Sequence, residues 1–390
     1  MIYFNNASDS FPKPLMIQEI IKGLPYIKST RSCNCDFESE YTSELRKFIS
    51  FHLNVPDKDY HVILTNGSTE SANTIIRSFS LYAESIYYHS NNHNCVCRTV
   101  EYLNSKENLF NNHTGESINH QCDDLNILDK SCLYCINHQS NVDGAVFNVK
   151  DVLLKASKCK YRPYICIDIS QSIGNIDIDI SEWHNIYPNL YIFGTFHKAL
   201  QSIIGCGFII SNKNYRLKPL ITGGTDIENW NHKQPEAMPH YLESGSRNYM
   251  AIVCALRSMM NYELTMEYNN HKKSAVTYFK KLWDDAPKTI KKLFNLHLWT
   301  DGKYVPPFVN LIPINDSIGD YVASHLESEY QIITRFGRHC SPLYKGIRGN
   351  SIRLSFNSYN TAEEIDCFFN ALDNMTPDIY SKFKEIIPKG

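Results

Sequence analysis

The sequence predicts an α/β fold with a mainly parallel central sheet. Over roughly the first 250 residues, short apolar runs typical of buried strands alternate with amphipathic runs typical of helices. This alternation is typical of a parallel sheet covered by helices. After about Tyr249 the pattern changes to longer helical stretches and a few short strands. We therefore expect a large domain at residues 15–250 and a smaller α/β domain made of residues 1–14 and 251–390.

Each apolar run predicts one strand of the large domain, and each amphipathic run predicts one helix. Strands are predicted at His61–Thr65, Ser131–Asn137, Tyr164–Ile169, Leu190–Phe193 and Gly207–Ser211. Amphipathic helices are predicted at Ile75–Leu81, Val149–Ser157 and Ser181–Ile186. Because ligands bind such sheets at the carboxyl ends of the strands, polar residues that directly follow a strand are candidates for a site.

The smaller domain is expected from a different series of elements. Helical stretches at Ala251–Leu264 and Lys272–Trp283 precede a segment interrupted by two prolines, Pro306 and Pro307. Short strands and a final helix from Glu363 follow. Within the large domain, Asn104–Asp129 is polar, rich in asparagine and without periodicity, so we expect it to be a surface excursion.

Charge and composition exclude several classes of partner. The formal net charge is -2, from 39 basic and 41 acidic residues that are mixed along the chain. Such a chain has no net field for a polyanion, so we expect neither nucleic acid nor an acidic membrane surface as a partner. No apolar run approaches the ~20 residues that a membrane span needs. The opening MIYFNNASDSFPKP lacks the basic and apolar regions of a secretion signal, which predicts a cytoplasmic protein.

Polar residues follow two neighbouring strands of the predicted sheet. Asp168 follows a buried strand, where a carboxylate needs a cationic partner; a pyridinium nitrogen is one such partner. Thr195, His197 and Lys198 follow the next strand along the chain, at the same edge of the sheet. A partly desolvated lysine there is suited to form a Schiff base. Taken alone, each residue also fits a simpler interpretation, a turn-capping aspartate and a surface lysine.

A third candidate element is an anion-binding turn. In ILTNGSTESANTIIRSF a strand leads through Gly67 into a helix that begins near Ser68 and Thr69. Backbone amides at a helix N-terminus favour a bound phosphate through hydrogen bonds and the helix dipole. Serine and threonine at this position also occur as ordinary helix caps, so the turn alone is a weak signal.

In their order along the chain, these segments resemble the cysteine desulfurase-like group of class V aminotransferase-fold enzymes, which depend on pyridoxal 5'-phosphate (PLP). YFNNASDSFPKP resembles the opening of that family, and ILTNGSTESAN resembles its phosphate loop. SNNHNCVCRTVEYL, NHQSNVDGAV, IDISQSIGNIDIDI and FGTFHK resemble four further motifs in family order. The resemblance implies the PLP-dependent transferase fold of type I and a homodimer with shared active sites.

The resemblance also implies a role for each matching residue around the cofactor. Lys198 would carry PLP as a Schiff base, Asp168 would pair with the ring nitrogen, and His93 would stack on the ring. The phenolic oxygen would contact Asn141 and Gln171. The phosphate contacts would come from Ser68, Thr69, Thr195 and His197 and, from the neighbouring subunit, Thr225.

Near the C-terminus the resemblance extends to the substrate and the sulfur. TRFGRHCSPLYKG followed by IRLSFNSYNTAEEID resembles the loop that carries the persulfide-forming cysteine and the segment that follows it. This implies Cys340 as the persulfide residue and Arg353 as the arginine that binds the substrate carboxylate. A planar guanidinium suits a carboxylate. We expect positive neighbours, Arg338 and His339, to favour the Cys340 thiolate.

The chain departs from the family pattern at several positions. Phe196 and Asp226 stand where glycine is usual, Arg338 occupies a position where leucine or histidine is commoner, and the chain has only 17 glycines. We expect the 13 cysteines to be reduced thiols, because their number is odd and the chain is too large to need disulfides. Cys132 and Cys135 are poorly spaced for a metal in a strand. Cys33/Cys35 and Cys95/Cys97 have a spacing that shares one face of a strand.

The sequence therefore predicts a PLP-dependent cysteine desulfurase-like enzyme. It would convert L-cysteine to L-alanine, hold the sulfur as a persulfide on Cys340 and pass it to a sulfur-acceptor protein. One alternative is a class V aminotransferase, epimerase or other PLP-dependent lyase in which Cys340 is not catalytic. A second is a non-catalytic binding protein with this fold, and a thiol-rich metal carrier is a third. The sequence leaves the preferred amino acid open, including cysteine against selenocysteine.

Overall fold

The computed structural model describes residues 1–23, 37–81, 83, 85–105, 123–126, 131–225, 227 and 230–388. Two compact units are present: a small unit of Met1–Pro12, Ser140–Ala145 and Glu263–Gly390, and a large unit of Lys13–Gln139 and Val146–Tyr262. The domain boundaries expected from the sequence stay a prediction. Asp226, Cys33, Cys35 and most of Asn104–Asp129 lie outside the described residues.

The large unit is built around a six-stranded sheet. Its strands are β2 (Tyr60–Thr65), β3 (Ser85–Tyr88), β4 (Cys132–Asn137), β5 (Tyr164–Asp168), β6 (Leu190–Thr195) and β7 (Gly207–Asn212). The strand order is β2-β7-β6-β5-β4-β3. Strands β3 to β6 run parallel, and β7 pairs antiparallel with both β6 and β2. The predicted strands and the mainly parallel sheet are confirmed.

Helices of the large unit come between these strands and at either end of the unit. They are α1 (Leu15–Gly23), α2 (Phe37–His52), α3 (Ser68–Phe79), α4 (Asn94–Ser105), α5 (Val149–Lys158), α6 (Ile180–Ile186) and α7 (Tyr249–Met260). Local sequence begins several of them: the side chains of Asn148, Asp179 and Asn248 cap α5, α6 and α7 by accepting a bond from a first-turn amide. Because parallel strands end at one edge, β5 and β6 bring Asp168 and Thr195 to the same edge.

The small unit contains an antiparallel four-stranded sheet and a two-stranded pair. The strands are β1 (Ile2–Tyr3), β8 (Phe294–His297), β9 (Phe308–Pro313), β10 (Ile332–Ile333), β11 (Arg335–Gly337) and β12 (Ser351–Ser355). The larger sheet has the order β11-β12-β9-β8, and β1 pairs with β10. The helices are α8 (Tyr262–Glu267), α9 (Asn269–Asp285), α10 (Lys288–Leu293), α11 (Asp316–Ser328) and α12 (Ala362–Lys382).

A single buried cluster joins the helices and strands of the small unit. Phe4, Phe279 and Phe368 are fully buried in it, and the ring centroid of Phe368 lies 6.4 Å from that of Phe4 and 5.7 Å from that of Phe279. Helix α12 begins with a reciprocal capping box, in which Thr361 and Glu364 each bond the backbone of the other. The core and the cap together fix the sheet edge that carries β11 and β12.

Candidate active site

Asp168 lies at the carboxyl end of β5, where the sequence predicts it. Its side chain is only 4% exposed, and Oδ1 accepts a hydrogen bond of 2.8 Å from the backbone N–H of Ser170. Burial raises the pKa of this carboxyl group, and the nearby positive charge of Lys198 opposes that rise. The structure thus places a buried carboxylate within electrostatic reach of the predicted Schiff-base lysine.

Thr195, His197 and Lys198 follow β6 at the same edge. The Thr195 hydroxyl donates to the carbonyl of Cys206 at 3.1 Å and lies 2.8 Å from Nδ1 of His197. Burial, together with the charge of Lys198, lowers the pKa of His197 to about 3, so the imidazole is neutral near pH 7. Two neutral polar groups therefore lie beside a lysine, so an anion bound there would meet no second titrating charge.

The predicted anion-binding turn is also present. Helix α3 begins at Ser68, as the motif around Gly67 predicted, and the amphipathic run predicted at Ile75–Leu81 is the C-terminal part of this longer helix, which ends at Phe79. Gly67 precedes it with φ 150°, a conformation that side chains disfavour, and gives the helix no side-chain cap. A Cβ on Gly207 would lie 2.7 Å from Cα of Gly67. Strand β7 therefore approaches this turn so closely that Gly207 has no room for a side chain.

The large unit thus has the groups that PLP requires. The buried Asp168 carboxylate suits a pyridinium nitrogen, and Lys198 suits the aldehyde carbon. The uncapped N-terminus of α3, with Ser68 and Thr69, suits a phosphate. These residues fit the cofactor by the chemistry of their donors, while the role of each one stays a prediction.

The remaining predicted cofactor residues of the large unit occupy distinct places. His93 immediately precedes α4, and its Nδ1 accepts a bond from the backbone N–H of Cys95. Gln171 is buried three residues after Asp168, and Thr225 is buried, with its hydroxyl bonded to the carbonyl of Ile227.

Cys95 is a thiol that the sequence analysis did not assign to this site. The charges of Asp168 and Lys198 both act on it, and burial raises its pKa well above the ordinary value. Cys95 and Cys97 lie on helix α4, so the expectation that they share a strand face is wrong. The run around His93 is amphipathic with a helical period, a signal that could have corrected the assignment.

Phe196, where the family usually has glycine, is fully buried and packs against Phe208 with ring centroids 5.3 Å apart. Gly194 provides the space for this pair, since a Cβ there would meet the Phe208 ring at 2.8 Å. The lost glycine is therefore accommodated in the core at the end of β6.

The small unit brings together Asn141, Arg353 and the loop that carries Cys340. The Asn141 side chain donates to the carbonyl of His339 and accepts a bond of 2.7 Å from the Ser341 hydroxyl. The Arg353 guanidinium donates to the carbonyl of Asn141. Asn141 therefore contacts both the predicted carboxylate-binding arginine and the residues on either side of Cys340.

Arg353 is a buried cation whose hydrogen bonds go to neutral groups. It is 1% exposed, its Nη2 donates to Asn5 and Ser8, and its Nε has no hydrogen-bond partner. Burial and the nearby charge of Arg335 lower its pKa to about 9. Among the residues that the structure describes, no acidic side chain forms an ion pair with Arg353. A buried guanidinium in this state is suited to bind the carboxylate of a small molecule.

Cys340 lies in a turn between β11 and β12. Both His339 and Cys340 have left-handed backbone conformations, with φ 51° and 60°. The thiol is partly exposed, and its Sγ accepts a hydrogen bond of 3.0 Å from Nη2 of Arg335. The charge on Cys340 also acts on the pKa of Arg353. The turn thus holds a thiol beside two guanidinium groups.

The structure corrects the predicted positive neighbours of Cys340. His339 is buried, and its pKa is lowered to about 2 by burial and by the charges of Arg353 and Arg335, so it is neutral. Arg338 is exposed. The cation in contact with the thiol is Arg335, which the sequence analysis missed. The strand spacing could have identified it, because Arg335 is the cross-strand partner of Arg353.

The other described cysteines have different surroundings. Cys367 is exposed on α12, and the remaining eight are buried: Cys95, Cys97, Cys132, Cys135, Cys159, Cys166, Cys206 and Cys254. No group of three or more possible metal-ligating side chains occurs within the described ranges. Likewise, the helices of that part of the chain include none that is long and apolar enough to cross a membrane.

Comparisons with known proteins agree with these features. The family model for aminotransferase class-V matches residues 30–368. The cysteine desulfurase SufS of Plasmodium falciparum is 27% identical over 235 residues, which are 54% of this chain and 41% of that protein. A probable cysteine desulfurase of Borreliella burgdorferi is 23% identical over 412 aligned positions, covering 97% of this chain and 92% of that protein. The chain spans about half the length of several other curated relatives.

A solved structure gives the same fold. The cysteine desulfurase of Thermococcus onnurineus superposes with a TM-score of 0.77 at 19% identity, covering 97% of this chain and 95% of that one. This likeness confirms the PLP-dependent transferase fold of type I. Because the family model matches most of the chain, this protein belongs to the aminotransferase class-V family of PLP-dependent enzymes.

Proposed function

We propose that the protein is a cysteine desulfurase that converts L-cysteine to L-alanine and retains the sulfur as a persulfide on Cys340. The observation that carries this proposal is the setting of Cys340. It is a partly exposed thiol in a fixed turn beside two guanidinium groups, whereas the eight buried cysteines are enclosed and Cys367 lies on a helix surface. The names of relatives such as the cysteine desulfurase SufS support the same activity.

The large unit supplies the groups for proton transfer. PLP, when bound, provides an electron sink for the carbanion at the substrate α-carbon. Lys198 removes the α-proton as a general base, and the Asp168 carboxylate keeps the pyridine nitrogen protonated. Ser68, Thr69, Thr195 and His197 would hold the phosphate, His93 would lie against the ring, and Gln171 would bond the phenolic oxygen. Burial of Asp168 and its electrostatic coupling to Lys198 support these assignments.

The small unit supplies the substrate clamp and the sulfur acceptor. Arg353 binds the α-carboxylate, and Asn141 contacts the phenolic oxygen of the cofactor. The Cys340 thiolate attacks the substrate sulfur: a sulfur–sulfur bond forms, the Cβ–S bond breaks, and its electron pair stays with carbon. The proton of the substrate thiol ends on that carbon, so alanine leaves and Cys340 carries the persulfide. The burial of Arg353 and its open Nε support its assignment.

Partners of this reaction are part of the proposal. A sulfur-acceptor protein takes the persulfide sulfur, and the enzyme works in the cytoplasm as a homodimer in which Thr225 binds the phosphate of the neighbouring subunit. Leu220, Ile221 and Trp230 are close to Thr225 in the sequence, and all three are exposed. Large exposed apolar side chains are typical of an interface, so they support one at this segment. Sedimentation analysis tests this point; a monomer at micromolar concentration contradicts it.

One pair of variants tests the sulfur chemistry. Cys340→Ala is expected to abolish alanine release from cysteine, while Cys367→Ala, which removes an exposed thiol elsewhere in the small unit, leaves the rate unchanged. Unchanged turnover in Cys340→Ala contradicts the desulfurase and favours a PLP-dependent aminotransferase or lyase in which this cysteine takes no part.

A second experiment tests the cofactor. The purified protein is expected to show visible absorption from PLP bound to Lys198, and Lys198→Ala is expected to lose it. Lys198→Ala should also slow α-proton exchange by about 100- to 10,000-fold. If the wild-type protein lacks this absorption, it carries no PLP on Lys198 and the proposed function fails. A non-catalytic binding protein with this fold would then be favoured.

A further inference from the structure

Arg335 is a cation in the small unit to which neither the resemblance nor the proposed function gives a role. It is partly exposed at the first position of β11. Its guanidinium donates two hydrogen bonds, one from Nη1 to the Ser8 hydroxyl at 2.8 Å and one from Nη2 to Sγ of Cys340 at 3.0 Å. One acceptor is neutral, and the other is a group that can ionise.

Within the part of the chain that the structure describes, the charge of Arg335 is not balanced by an acid. Across the described ranges, no carboxylate forms an ion pair with Arg335 or with Arg353, its cross-strand partner. The two guanidinium groups repel each other, and this repulsion contributes to lowering the pKa of Arg353. Two adjacent cations without an acid are costly unless anions accompany them. The substrate carboxylate on Arg353 accounts for one such anion.

We propose that Arg335 is a catalytic residue whose guanidinium is the counter-ion of the Cys340 thiolate. In a charge-assisted bond from Nη2 to Sγ, it favours the ionised thiol that attacks the substrate sulfur. The second part of its role rests on the proposed function: after the attack, the negative charge moves from Sγ to the terminal sulfur of the persulfide, and Arg335 remains its nearest cation.

Other groups around Cys340 do not replace Arg335. Arg353 lies on the neighbouring strand β12, and its guanidinium is bonded to Asn141, Asn5 and Ser8. His339 is neutral because burial and the two arginines lower its pKa to about 2. Tyr344, four residues on in the loop, bonds to a carboxylate elsewhere, that of Asp143. The direct contact with Sγ therefore distinguishes Arg335.

The turn keeps this contact in place. Left-handed conformations at two successive non-glycine residues, His339 and Cys340, persist only where surrounding bonds hold them. Asn141 bonds to His339 and to Ser341, on either side of Cys340. Sγ is consequently directed to one side of the turn, where Arg335 on β11 meets it.

The test is the pH dependence of alkylation of Cys340 by iodoacetamide in the full-length, PLP-loaded protein. Mass spectrometry of the Cys340 peptide follows the rate, because the thiolate is the reacting form. Arg335→Gln is expected to raise the pH midpoint by about one unit or more. Arg335→Lys, which retains the charge, should keep the midpoint closer to that of the wild type. Arg338→Gln is the matched control: it removes the same charge from an exposed side chain of the same loop and should leave the midpoint unchanged.

Two results overturn the proposal. One is a midpoint that does not move in Arg335→Gln; the other is an equal shift in Arg335→Gln and Arg338→Gln, which would indicate the general field of the loop rather than the contact. Alkylation of the exposed Cys367 in the same sample is the internal standard for the reactivity of the reagent, and retained visible absorption of the bound cofactor confirms that each variant is folded. Because alkylation requires no amino-acid substrate, this test can succeed in a protein that releases no alanine. A result that disproves the ion pair between Arg335 and Cys340 can therefore be told apart from a result that disproves the desulfurase reaction.

Discussion

At the scale of single residues, burial changes the acid–base behaviour of the Asp168 carboxyl group. A carboxylate that is 4% exposed pays a desolvation cost, which raises its pKa, and only the charge of Lys198 and the bond from Ser170 oppose that rise. The positive charge of a pyridinium nitrogen would add to that of Lys198 and further stabilise the ionised carboxylate. The sequence predicted that Asp168 and Lys198 follow two neighbouring strands. Taken alone, each residue also fitted a simpler interpretation, and only the order of all the motifs, through the family resemblance, implied their roles.

Asp168→Asn tests this compensation. The asparagine keeps an oxygen to accept the Ser170 N–H but loses the charge, so we expect the fold to remain and α-proton exchange to slow by about 100-fold or more. The measurement is deuterium incorporation into alanine in heavy water. Exchange at the wild-type rate would mean that Asp168 serves only to cap its turn.

Arg335 could not be predicted from adjacency along the chain. Adjacency selects Arg338 and His339 as the positive neighbours of Cys340. In a turn between antiparallel strands, however, the closest groups come from the strands. Arg335 and Arg353 are cross-strand partners, and burial leaves His339 neutral.

At the scale of elements, the loop that carries Cys340 depends on residues 140–145 of the small unit. The buried Asp143 carboxylate accepts bonds from the Tyr344 hydroxyl at 2.7 and 2.9 Å and lies 2.9 Å from Nε2 of His297. Burial acts to raise the pKa of Asp143, but these bonds outweigh it and the pKa is lowered. The charged form therefore anchors the far side of the loop, four residues beyond Cys340.

Tyr344→Phe is expected to lower the free energy of unfolding by about 1.5–3 kcal/mol, because it removes a hydrogen bond to a buried charge. Alkylation of Cys340 by a neutral reagent should change in rate, since the loop loses an anchor. Denaturant titration and peptide mass spectrometry measure the two effects. Tyr330→Phe, at a more exposed tyrosine of the same unit, is the control. Equal stability of the two variants would contradict the anchoring role.

The phosphate turn depends on a close approach of two elements. A Cβ on Gly207 would lie 2.7 Å from Cα of Gly67 and 2.8 Å from the carbonyl oxygen of Gly194. We expect Gly207→Ala to displace the start of α3 and to speed PLP dissociation at least several-fold. Gly23→Ala, where a Cβ meets nothing within 4 Å, should leave dissociation unchanged. Equal dissociation rates for the two variants would mean that the turn tolerates the displacement.

At the scale of the whole molecule, two buried histidines and a partly buried one link stability to pH. Burial lowers the pKa of His138 to about 4, of His197 to about 3 and of His339 to about 2. In the unfolded chain these side chains take up a proton near their ordinary pKa of 6.5, while in the folded protein they stay neutral. Protons then bind preferentially to the unfolded state, so acidification below pH 6.5 favours unfolding.

We predict that the free energy of unfolding is insensitive to these histidines above about pH 7. Between pH 6.5 and 4 it should fall by about 1.4 kcal/mol per pH unit for each histidine that remains neutral. Urea titrations over this range measure the slope. His138→Gln should reduce the slope, and His232→Gln, at an exposed position, should not. A slope that is identical in both variants would contradict the assignment.

Sequence and structure agree best where one physical signal dominates. The strands of the large unit were predictable because their apolar runs are short and bounded by turns, as at Tyr164–Asp168. The helical run of Cys95 and Cys97 was misread because two residues alone do not define a period. The place of Ser140–Ala145 in the small unit was not predictable, because its contacts, such as Asp143 with Tyr344, join residues about 200 positions apart.

The most direct test of the central claim is the mass of the Cys340 peptide after a single turnover with L-cysteine. The account predicts a peptide that is heavier by one sulfur atom, formed in equal amount with alanine and absent when cysteine is omitted. Alanine released while the Cys340 peptide keeps its original mass and another cysteine gains the sulfur would contradict it.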